Sequence, residues 1–85
     1  MTRFDVLIRV MPRGTLLDPQ GQAVGQALTA LGFADVGDVR VGKAVTFQLD
    51  RPDEDAAERD ARAMCERLLA NPVTEDFIVL VEGAS

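Results

Sequence analysis

Eighty-five residues set a limit of one domain, 1–85, and a chain this short buries only roughly 60% of its unfolded surface. A hydrophobic share of 47% suits a globular core, but four Phe with no Trp or Tyr leave little to stack on bases. The net charge of −5 disfavours nucleic acid and anionic membranes, whose binding needs surplus Lys and Arg.

The charge is uneven: residues 1–49 carry +1 and residues 50–85 carry −6, so any anion-attracting surface belongs to the first half. The single Cys65 cannot form an intramolecular disulfide, which suits a reducing cytosol. No apolar run approaches the roughly 20 residues that span a bilayer, and Asp5 and Arg9 interrupt the N-terminal stretch where a signal peptide would be apolar. A cytoplasmic protein is expected.

Phe4, Val6, Ile8 and Val10 alternate with Asp5, Leu7, Arg9 and Met11, the period of a strand, which Pro12-Arg13-Gly14 ends. Asp18 then caps a helix with Pro19 in its first position; Val24, Ala27, Leu28 and Leu31 form its apolar stripe and Gly32 its stop. Residues 36–50 alternate again. Either Gly42-Lys43 is a two-residue hairpin turn, the favoured reading, or one long strand is kinked by a bulge at Gly42.

Pro52 opens a second helix, with Asp53, Glu54 and Asp55 in its first turn, where the helix dipole favours negative charge. Ala57, Ala61, Met64, Cys65 and Leu68 supply the buried stripe, and Asp55–Arg59 and Glu58–Arg62 are i,i+4 pairs. Asn71-Pro72 stops this helix before a last strand at 77–81. The order is βαββαβ: an α+β, two-layer sandwich with both helices on one face of a small antiparallel sheet. The last strand is apolar on both faces. If it neighbours the first, as in ferredoxin-like folds, Leu7, Ile78 and Leu80 form an apolar patch on the open face, an expected oligomer interface.

The inventory for chemistry is poor. There is no His to move protons near neutral pH, no metal-ligand constellation, and no GxxxxGK[ST] or GxGxxG phosphate loop. Cys65 reads as a core thiol and the acidic 53–60 run as a solvated helix face. Arg13, Arg40 and Lys43 are three of only five bases in the first half and could line one anion-attractive edge. An acylphosphatase-like reading would use Arg13, yet the only Asn, Asn71, directly precedes Pro72 at the far end of the second helix.

Three stretches resemble the PurS family, the small subunit of phosphoribosylformylglycinamidine synthase. They are LDPQGQAV (17–24) followed by LGF (31–33), VRVGK (39–43), and MCERLLANPVTEDF (64–77). They lie in the family's order across nearly the whole chain. The loop at 11–16 differs from the Lys-Pro-Gly-like turn common in that family.

The resemblance implies a PurS-like fold and a place in the fourth step of purine biosynthesis. There formylglycinamide ribonucleotide, glutamine and ATP give formylglycinamidine ribonucleotide, glutamate, ADP and phosphate. It implies two partners, the amidating large subunit PurL and the glutaminase PurQ, which this chain joins as a homodimer or homotetramer while helping ammonia pass. ATP and Mg²⁺ would be used by the complex, with no catalytic, cofactor or metal residue here. Asp18, Gln20, Gly21, Arg40, Gly42, Lys43, Asn71 and Pro72 become the partner-interaction residues on this resemblance. A competing reading of the same fold class is an ACT-like regulatory module that binds a small effector.

Overall fold

The computed structural model describes residues 1–14 and 18–83. Its elements run β1 (Thr2–Pro12), α1 (Pro19–Ala30), β2 (Lys43–Arg51), α2 (Glu54–Met64) and β3 (Glu75–Gly83). The strands form one antiparallel sheet in the order β2-β1-β3. The α+β class and the alternation of elements match the reading of the sequence, and β1 and β3 are indeed neighbours, with Leu7 opposite Leu80.

The core lies on one face of this sheet. Val6, Ile8 and Val10 point inward from β1 and meet Ala61, Cys65 and Ala70, with Val45, Phe47, Leu49, Val79 and Val81 packed around them, and Phe4 and Ala57 are buried as well. The central strand is buried most because it has a strand on each side and a helix over it. Small side chains on α2 let its backbone approach the sheet closely. Arg51 at the end of β2 donates to Asp60 at 2.6 Å, fixing the helix against the sheet edge.

Several boundaries move. Pro52 precedes α2 rather than opening it: Asp53 is the cap, its carboxylate accepting from the Ala56 N–H at 2.8 Å, and the helix begins at Glu54. The Glu58–Arg62 pair forms at 3.2 Å, whereas Arg59 turns to Asp60 at 3.8 Å instead of Asp55. Beyond Met64 the helix widens into a single π turn, Cys65–Leu69. The extra residue in that turn rotates the following side chains, so Leu69 packs on the core while Leu68, assigned to the buried stripe by strict 3.6 spacing, is 83% exposed.

The second strand of the βαββαβ order makes no ladder. Residues 39–42 pair with no strand, and Lys43 already belongs to β2, so neither the hairpin at Gly42-Lys43 nor a bulged continuous strand forms. One physical contributor is that the Val41 N–H is taken by the Asp18 carboxylate at the start of α1. The stripe of α1 also departs from expectation: Gly21 is its one buried residue, and Val24 and Leu31 stand exposed. Gly32 does end the helix, with φ +102°, and the Gly32 and Phe33 N–H groups return to the Thr29 and Leu28 carbonyls, the pattern of a Schellman stop.

The molecule is therefore long and thin, 51 × 30 × 14 Å. Its radius of gyration is 16.4 Å, against about 12 Å for a compact chain of this length. Its exposed surface of 5946 Å² exceeds by about 1,000 Å² what a compact chain of this mass shows.

Candidate functional site

The residues assigned from the sequence fall into two structural joints. At the first, Asp18 caps α1, accepting from the Gly21 N–H at 2.9 Å with one oxygen and from the Val41 N–H at 3.0 Å with the other. These two backbone donors hold its carboxyl below the ordinary carboxylate range. One carboxylate thus both starts the helix and clips the 39–42 segment to it.

Glycine at 21 and 42 makes the clip possible. A Cβ at Gly21 would collide with the Val39 carbonyl oxygen, and one at Gly42 with the Val10 carbonyl and the Met11 sulfur. Arg40 reaches back from this segment. It donates to the Pro12 carbonyl at 3.0 Å and lies 3.5 Å from Asp38, its side chain three-quarters covered. Gln20 and Lys43 are exposed. Leu17, which opens the first sequence motif, and the rest of residues 15–17 lie outside the described residues, as do residues 84–85.

The second joint is the turn between the helical layer and β3. The Asn71 side chain accepts from the Val73 N–H at 3.0 Å, and its own N–H is held by Glu75. Arg13 closes the turn from the other side, donating to the Pro72 and Val73 carbonyls at 2.8 and 3.0 Å and to Asp76 at 3.1 Å. Arg13 and Arg40 are thus both engaged within the chain and lie close together, since Arg40 reaches the Pro12 carbonyl and a Cβ at Gly14 would touch its guanidinium, while Lys43 pairs opposite Val10 on the adjoining strand. The acceptors of Arg13 and Arg40 are the Pro72, Val73 and Pro12 carbonyls together with Asp76 and Asp38, an arrangement that composition does not show.

Cys65 is fully buried, and burial pushes its thiol up, away from the thiolate a nucleophile needs. Among the described residues, no group of His, Cys, Asp and Glu side chains is placed to hold a metal ion, and no helix is long and apolar enough to cross a membrane.

The third feature is the open face of the sheet. Leu7 lies between Thr46 and Leu80, and Ile78 and Leu80 are 54% and 44% exposed. The patch read from the sequence is present as an uncovered surface.

The joints carry the three sequence motifs, and they can be compared with known proteins on that footing. The family model described as PurS, phosphoribosylformylglycinamidine (FGAM) synthase, matches residues 5–83. The chain belongs to the PurS family. A Synechocystis PurS subunit is 42% identical over 80 residues, covering 91% of this chain and 80% of the relative. The structure of Thermus thermophilus PurS superposes with a TM-score of 0.85 at 34% identity, covering 98% of this chain and 99% of the other. A chain in the structure of PurLQS from Thermotoga maritima matches with a TM-score of 0.88 at 28% identity, covering 96% and 100%. As a PurS, the chain is a subunit of FGAM synthase, the glutamine-dependent ligase of purine biosynthesis.

Proposed function

We propose that this PurS is the non-catalytic joining subunit of its synthase, holding PurL to PurQ and helping to close the path of ammonia between them. The observation that carries this is the full-length match to a chain of the Thermotoga maritima PurLQS structure. ATP and Mg²⁺ then act on the partner subunits.

The shape of the chain supports the same reading. α1 projects from the sheet, and a helix of 12 residues with glycines at 21 and 25 gains little stability by itself. Partner contact supplies what the fold leaves open. In this reading Asp18, Gly21, Arg40 and Gly42 shape the projecting unit, Asn71 and Pro72 shape the second turn, and Gln20 and Lys43 meet the partners directly. The chain also assembles with itself through the open face at Leu7, Ile78 and Leu80.

Size-exclusion chromatography of PurL and PurQ with and without this chain tests the joining role. The two partners should elute together with the chain present and apart without it, and Lys43→Glu should weaken the joint peak. Partners that elute together equally well in its absence would end the proposal.

A further inference from the structure

The two joints meet at one point of the sheet, the last residues of β1. Arg40, which precedes β2, donates to the Pro12 carbonyl at 3.0 Å, and a Cβ at Gly14 would sit 3.1 Å from one of its guanidinium nitrogens. The turn that precedes β3 is held by the next residue along. Arg13 donates from its side chain to the Pro72 and Val73 carbonyls and to Asp76, and from its own N–H to the Thr74 carbonyl at 3.0 Å. Two joints far apart in sequence are therefore tied to adjacent residues of one strand.

The first joint moves as a unit. Asp18 accepts from the Val41 N–H, and Gly21 lets α1 approach the Val39 carbonyl, so the helix and the 39–41 segment hold each other. α1 has no substantial contact with the strands or with α2. What relates this unit to the sheet is the passage of residues 40–42 along the end of β1: Gly42, where a Cβ would strike the Val10 carbonyl, and the Arg40 side chain at Pro12. The Arg40 side chain is only 25% exposed, and its planar fork reaches the Pro12 carbonyl while also facing Asp38 at 3.5 Å. A lysine offers a single point charge in place of that fork.

We infer that Arg40 is a positioning residue. With Arg13, it locks the α1 unit and the 71–75 turn to the same end of β1, so that the two joints keep one relative orientation. The inference rests on the joining role proposed above and adds what holds the two joints in register. Leverage makes the tie matter: the 12 residues of α1 form a rod about 18 Å long, so a tilt of about 10° at its base moves Ala30 by about 3 Å.

Arg40→Met keeps the aliphatic stem and removes the donors. Spin labels on Ala30→Cys and Val73→Cys, both at exposed positions, report the distance between the joints, while the fully buried Cys65 stays unlabelled. Dilution into unlabelled chain leaves only distances within one protomer. Pulsed dipolar spectroscopy should give one narrow distance with Arg40 present, and a distribution shifted or broadened by about 3 Å or more in Arg40→Met. Arg40→Lys, which retains a donor for the Pro12 carbonyl, should recover most of the narrow distance. In the reconstituted synthase, the ratio of the glutamine-dependent to the ammonia-dependent rate should fall at least about threefold in Arg40→Met.

An unaltered distance in Arg40→Met, or an altered distance with an unaltered rate ratio, would overturn the inference. Since the distance is read without PurL or PurQ, its failure is distinct from failure of the joining role, which partners eluting together in the chain's absence would show. Should Arg40→Met unfold, as read by circular dichroism, Arg13→Met should broaden the same distance by releasing the other joint, and an unaltered distance there would overturn the inference equally.

Discussion

Two glycines on one helix should respond to the same substitution with opposite signs. Gly21 and Gly25 both face the 39–42 segment from α1, but a Cβ at Gly21 runs into the Val39 carbonyl oxygen, while one at Gly25 rests 3.4 Å from the Val39 Cγ2, an ordinary contact. Alanine in place of glycine favours the helix by about 1 kcal/mol at either position. Gly25→Ala should keep that gain. Gly21→Ala sets it against an overpacking cost of about 1–3 kcal/mol, for a net loss of up to about 2 kcal/mol. The propensity contribution cancels in the difference, so the two variants should lie about 1–3 kcal/mol apart, or at least about 4 °C in Tm for a chain of this size. Urea unfolding followed by circular dichroism measures the gap. Hydrogen exchange at the Val41 amide, which donates to Asp18, should speed up in Gly21→Ala alone. Equal stabilisation by both substitutions would show that the 39–42 segment does not lie against α1 as described.

Cys65→Ser places a hydroxyl where a fully buried thiol sits, and should lower stability by about 1 kcal/mol or more while leaving activity of the assembled synthase nearly intact. Loss of activity at unchanged Tm would make the thiol functional. The π turn predicts that Leu69→Ala costs about 1–2 kcal/mol and Leu68→Ala less than about 0.5 kcal/mol in a denaturant titration; the reverse order would restore a regular helix there. Asp18 and Asp60 are both held below their ordinary range, Asp18 by the Gly21 and Val41 N–H groups and Asp60 by Arg51. A carboxylate with a lowered folded pKa contributes stability above its unfolded value near 3.9, and that contribution is lost as the pH falls through the lower folded value. Stability should therefore drop in acid below about pH 4, and Asp60→Asn should flatten that slope in pH-dependent urea midpoints.

Sheet and core were readable because period-two alternation in β1 has one physical solution, a strand with Phe4, Val6, Ile8 and Val10 against a helix. The apolar open face was readable for the same reason, since Ile78 and Leu80 could not both lie inward with Val79 and Val81. What could not be read was set by single polar atoms. The Asp18 carboxylate claims the Val41 N–H, which removes the 39–42 segment from any ladder and leaves the hairpin unmade. The α1 stripe of Val24 and Leu31 carries the right spacing for a core, but spacing cannot say whether the apolar surface that covers it belongs to the same chain. Which acceptors Arg13 and Arg40 take, the carbonyls of Pro72, Val73 and Pro12 beside Asp76 and Asp38, is invisible to a count of charges. The π turn after Met64 leaves no mark in the composition of CERLL.

The joining role is tested most directly by reconstituting the synthase from PurL, PurQ and this chain and following formylglycinamidine ribonucleotide formation with either glutamine or free ammonia as nitrogen source. With glutamine, product should form at a substantial rate only when this chain is present; with saturating ammonia, PurL alone should suffice. Undiminished glutamine-dependent synthesis by PurL and PurQ without this chain would contradict the account.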